Sequence, residues 1–141
     1  MNTRPTIPDF AYLFREEVMN SIFPPEKTGQ FFAALYGDAD DGAFTISVRF
    51  TKWNPDDMTL HFEFQLHEIP GRCLACNLTY GLPKVFAVHP VIDLSGLVST
   101  IAQHLPKGLI SLRWTLGQTR SISRQLHVIP LTIFLGPSKD D

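Results

Sequence analysis

A chain of 141 residues with 44% hydrophobic and 18% charged residues has the size of one domain and enough apolar bulk for a packed core, with no need of disulfides or a structural metal. The eleven Pro are scattered and the two Cys are few, which excludes disorder, collagen, coiled coil and a disulfide scaffold. A formal net charge of −2 argues for neither nucleic acid nor membrane as the default partner.

The opening residues, MNTRPTIPDF, have neither a basic start leading into an apolar stretch nor a small-residue cleavage site, so they do not read as a secretory signal. No run approaches the ~20 apolar residues that span a bilayer. With Cys73 and Cys76 expected as reduced thiols, a cytoplasmic setting is expected. Charge is unevenly distributed. Residues 1–93 hold seven Lys/Arg against twelve Asp/Glu, giving −5, while residues 94–141 hold five against two, giving +3.

Residues 6–23 open with Thr6, Pro8 and Asp9 and stop at Pro24-Pro25, which predicts a helix with Phe10, Leu13, Phe14, Val18 and Ile22 on its apolar face. Residues 28–36 fit a short helix started by Thr28, although the Asp/Gly cluster at 37–42 also suits a hairpin; helix is favoured. Residues 43–51 alternate strictly, with Phe44, Ile46, Val48 and Phe50 on one face, and 59–67 repeat the pattern with Leu60, Phe62, Phe64 and Leu66. Residues 73–80 alternate a third time, and the intervening Asn54-Pro55-Asp56 and Pro70-Gly71 predict an antiparallel meander.

Opposed residues share a face, so Phe50 is expected opposite Leu60 and Leu66 opposite Leu74. That register sets Arg49 beside His61, Ser47 beside Glu63, Glu63 beside Asn77 and His67 beside Cys73 on the polar face. After the short apolar run 85–88, Asp93 caps a second helix over 93–105 with Leu94, Leu97, Val98, Ile101 and Leu105 in line, ending at Pro106 and Gly108. Residues 109–116 form a fourth strand, with Ile110, Leu112, Trp114 and Leu116 expected inward and Arg113 outward. Residues 126–135 form a fifth, apolar on both faces, and its Pro130 points to a sheet edge or a bulge. Residues 1–136 are therefore expected to make one α+β domain, and 137–141 a frayed tail. Its plan is an N-terminal helix, a three-stranded antiparallel meander, a second helix and two further antiparallel strands, with the helices packed on one face of a mainly antiparallel sheet.

Chemistry is less legible than architecture. Cys73 and Cys76 have the spacing of a metal or redox motif, but on a strand they point to opposite faces, so no metal is expected. His67 with Cys73, and Glu63 near them, is the minimal pair for thiol catalysis, yet an open sheet face offers no cleft or oxyanion hole. The polar face carrying Arg49, His61, Gln65 and Asn77 is more simply a solvated one. His104 at a helix end and His127 beside a strand are expected to be structural. Asp38, Asp40 and Asp41 lack the ligand spacing of a calcium loop. Arg120 and Arg124 on the 117–125 connection, with Arg113 on the preceding strand, suit an anion, but there is no phosphate cradle and no interleaved aromatic for single-stranded nucleic acid.

The order helix, three strands, helix, two strands resembles that of the small dimeric chaperones of type III secretion, which bind extended client segments. The resemblance implies a dimer that binds protein. This chain is less acidic than that family and has no helix after its last strand. The residues favour a non-enzymatic protein-binding module, self-associating or meeting another protein, with no cofactor and no membrane or nucleic-acid partner. The alternatives are a thiol enzyme built on Cys73 and His67, and anion or nucleic-acid binding at Arg113, Arg120 and Arg124.

Overall fold

A computed structural model describes residues 9–36, 44–69 and 86–137, with the side chains of 32–36 excepted. The expected first helix is two short ones, α1 (Phe10–Leu13) and α2 (Glu16–Ile22), followed by α3 (Glu26–Tyr36). Asp9 starts α1 by accepting the Tyr12 amide at 3.1 Å, and Arg15, extended at ψ 165°, separates it from α2. This break changes which residues are buried. An uninterrupted helix advances about 100° per residue and would present Val18 and Ile22. The interruption turns the face by one position, so that Phe10, Phe14, Met19 and Phe23 enter the core.

Strands β1 (Phe44–Asn54) and β2 (Thr59–Glu68) form the first hairpin. Their alternation is as the sequence predicts: Phe44, Ile46, Val48, Leu60, Phe62, Phe64 and Leu66 are buried. The register differs by two residues, because the turn between Asn54 and Thr59 is centred later in the chain than that pairing requires. Phe50 opposes Phe62, Arg49 opposes Glu63 and Ser47 opposes Gln65, and a bulge between Phe50 and Lys52 lets pairing continue to Asn54 and Thr59. Asn54 makes that tight closure possible by accepting the Asp56 amide at 3.1 Å and donating to Asp57 at 3.0 Å, while Met58 takes the left-handed conformation at φ 55°.

Residues 73–80, the expected third strand of the meander, lie outside the described residues. Both edges of β2 are occupied by other strands. β1 takes one, and β5 (Leu126–Pro137) takes the other in an antiparallel ladder that sets Leu66 opposite His127 and His67 opposite Leu126. On β1 and β5, Leu66 is opposed by Ile46 and His127, Glu63 by Arg49 and Pro130, and His67 by Thr45 and Leu126; the expected partners Leu74, Asn77 and Cys73 lie outside the described residues.

A short helical turn at 86–88 leads to α4 (Leu94–Gln103), capped by Asp93, whose carboxylate accepts the Gly96 amide at 3.3 Å. Leu94, Leu97, Val98 and Ile101 are buried, as their spacing predicts. Gly108, at φ 97°, turns the chain into β3 (Leu109–Leu116), and the two-residue β4 (Arg120–Ser121) precedes β5. Among the described residues the sheet order is β1-β2-β5-β3, every ladder is antiparallel, and β4 also pairs with β5. The protein is thus α+β, with helices packed on a five-stranded, mainly antiparallel sheet.

Two expectations about the last strands change. β5 is interior, not an edge, and Pro130 sits where its neighbour is interrupted: β3 ends opposite Leu131, β4 starts opposite Val128, and between them Gly117 donates its amide to the Pro130 carbonyl at 2.8 Å. Pro130 has no amide to return that bond to Gly117, and the ladder breaks there between β3 and β4. In β3, the pairing shifts between Ser111 and Arg113, leaving Leu112 as the extra residue. A bulge reverses the in-out phase. Trp114 and Leu116 pack on the core as expected, whereas Ile110 and Leu112, expected inward, are 38% and 60% exposed.

The core is a layer of phenylalanines between helices and sheet. Phe14 meets Phe62 edge-on at 5.2 Å, Phe23 meets Phe64 at 5.9 Å, and Phe86 meets both Phe64 and Phe31 at 5.0 and 5.4 Å. Such edge contacts add about 0.5–1.5 kcal/mol each beyond the area they bury.

Candidate functional site

The sheet face opposite this core carries the polar residues that the sequence singles out. Along β2, Gln65 donates to the Glu63 carboxylate at 2.7 Å, and His67 Nε2 lies 3.2 Å from the Gln65 oxygen, so the three side chains form one string. His61 sits further along the same face, with Nε2 at 2.9 Å from the Thr59 hydroxyl and Nδ1 at 3.4 Å from that of Thr132. Partial burial, with Lys52 adding to it and Asp57 opposing, lowers the pKa of His61 from its ordinary 6.5. A neutral imidazole bridging two hydroxyls, donating through one nitrogen and accepting through the other, suits a structural link between β2 and β5.

The thiol hypothesis needs Cys73 beside His67. Cys73, Cys76 and Asn77 lie outside the described residues, and His67 is opposed by Thr45 and Leu126. Among the described residues, no group of three or more His, Cys, Asp or Glu could hold a metal ion. No helix among them is long and apolar enough to cross a membrane.

The three arginines of the basic region are not brought together. Arg113 lies 3.8 Å over the ring of Phe134, and Arg120 is opposite Val128. Their positions on β5 are six residues apart, roughly 20 Å along a strand. Arg124 is exposed on the turn before β5.

Arg49 has a different setting from the one its strand position implies. It reaches over the edge of β1 to α2, where Nη1 donates to Asn20 Oδ1 at 3.0 Å and to the Val48 carbonyl at 2.9 Å, while Nη2 donates to Glu16 Oε2 at 3.3 Å. Next to it the Thr28 hydroxyl serves both outward-facing backbone groups of Ile46, accepting its amide at 2.8 Å and donating to its carbonyl at 3.3 Å. Between α2, α3 and β1 lies a pocket of about 370 Å³ whose lining includes Thr45, Ser47, Arg49 and His67. The Ser47 hydroxyl is buried there without a hydrogen-bond partner, which ordinarily costs about 1–3 kcal/mol. Sequence reasoning missed Glu16, Asn20 and Thr28 as partners of β1. Each is an ordinary polar helix residue, and only the docking of α2 and α3 against the strand selects it.

At the other end of the sheet, β3 pairs among the described residues only with β5. Exposed there are Ile110 and Leu112, and Leu112 lies across Gly136, where an added Cβ would come within 2.8 Å of its side chain. No protein-family model, curated protein or solved structure matches this chain.

Proposed function

We propose that the chain is a non-enzymatic interaction module that self-associates through the β3 end of its sheet. The observation that supports this reading is the bulge at Leu112, which turns two aliphatic side chains to solvent beside a strand edge that pairs with no further described strand. Open edges and exposed apolar clusters are the surfaces proteins use for strand addition and association. A two-fold axis near such a patch lets one surface cover itself, so a second copy is the economical partner. The expected association is weak, because Ile110 and Leu112 together offer only a few kcal/mol of apolar burial against the cost of bringing two chains together.

Sedimentation of the full chain from about 1 µM to about 1 mM, a range reaching weak dissociation constants, should show a monomer–dimer equilibrium. Leu112→Asp should move it to monomer without unfolding the chain. A wild-type chain that stays monomeric over the whole range, or an unchanged equilibrium in Leu112→Asp, would overturn the proposal.

A further inference from the structure

The pocket between α2, α3 and β1 brings an arginine, hydroxyl side chains and an imidazole together beside apolar residues. Arg49 is fixed by Asn20 and the Val48 carbonyl through Nη1, so its guanidinium is held in place before anything binds. Its Nη2 is met by Glu16, whose side chain is 70% exposed and whose contact is long for a charge-assisted hydrogen bond at 3.3 Å. Ser47 lines the same pocket with a buried hydroxyl that has no partner, and Thr45 and His67 add further hydrogen-bonding groups. Phe23 and Pro25 provide an apolar wall, and a volume of about 370 Å³ exceeds what a bare ion needs.

We propose that this pocket binds the phosphate group of a small phosphorylated molecule. The phosphate takes Nη2 of Arg49 in place of the Glu16 carboxylate and accepts the hydroxyl of Ser47, and the rest of the molecule lies against Phe23 and Pro25. A planar guanidinium joined by a hydroxyl donor is a recurrent way to hold a phosphate. Glu16 acts as an internal competitor that keeps the arginine paired when no ligand is present. The site lies at the opposite edge of the sheet from β3 and stands independently of self-association.

Titrating the full chain with inorganic phosphate at constant ionic strength, followed by amide chemical shifts, is expected to move Ser47 and Arg49 in a saturable way, while acetate at equal concentration leaves them in place. Glu16→Gln should tighten binding several-fold, and Arg49→Gln should weaken it by about tenfold or more, the loss expected for one charge-assisted hydrogen bond. Ser47→Ala should weaken binding without lowering the unfolding midpoint, since its hydroxyl has no partner in the unliganded fold; this variant separates a ligand contact from a structural one. Absence of a saturable shift in the folded wild type, equal shifts with acetate, or unchanged affinity in Glu16→Gln and Ser47→Ala would each overturn the assignment.

Discussion

At the β1 edge of the sheet, one hydroxyl from α3 satisfies both free backbone groups of Ile46, and Asn20 and Glu16 of α2 hold the arginine that projects past the strand. At the β3 edge, α4 packs against the strand, yet Ile110 and Leu112 remain in solvent. A sheet edge exposes a row of donors and acceptors whatever its sequence. Among the described residues, polar side chains of α2 and α3 cover the β1 edge, while two aliphatic side chains stand exposed on β3. The β1 edge is joined to the helices through side-chain hydrogen bonds, whereas β3 pairs, among the described residues, with β5 alone.

The largest expected effect removes what both edges share. Phe64 lies on β2 between Val48 and Ile129, in edge contact with Phe23 and Phe86, so Phe64→Ala should cost about 3–5 kcal/mol in urea unfolding and loosen both ends together. The contrast is then tested one edge at a time. Thr28→Val keeps the shape but strips two backbone groups of their partner, and it should cost about 1–3 kcal/mol by the same measurement. Leu112→Asp on β3 should stay within about 0.5 kcal/mol in dilute solution, as expected of an exposed position. Equal costs at the two sites would end the distinction between β1 and β3.

The smallest effect concerns pH. Because the folded chain lowers the pKa of His61 below 6.5, the unfolded chain takes up this proton first as pH falls. The contribution of His61 is complete above about pH 6.5 and is lost as pH drops through that value toward the folded pKa. Unfolding free energies measured between pH 7.5 and 5, in steps of about half a unit, should therefore fall less steeply in His61→Asn.

Much of the architecture follows from local pattern. Strict alternation at 43–51 and 59–67 fixes which residues of β1 and β2 are buried, and the Asp93 cap with the 94, 97, 98, 101 spacing fixes α4, because periodicity and capping are properties of consecutive residues. The misjudged details share a cause. The break at Arg15, the bulge at Thr51 and the extra residue at Leu112 each shift a phase by one, and nothing in a local apolar pattern marks such a shift. The surroundings of the candidate site were legible only in part: alternation places Arg49 on β1 and His61 and Gln65 on β2, while nothing in the local pattern marks Asn20, Glu16 and Thr28 as neighbours of β1.

The sequence by itself determined the class of the fold, the buried faces of the first two strands and of α4, and the polar character of the face behind them. These depend on contacts within one element. Tertiary structure alone decided that β5 lies beside β2, that Pro130 falls in the gap between β3 and β4, and that helix residues 18 to 33 positions away complete the environment of Ile46 and Arg49. The reason is that long-range pairing is chosen by which faces fit one another once formed, and that choice leaves no spacing along the chain to read.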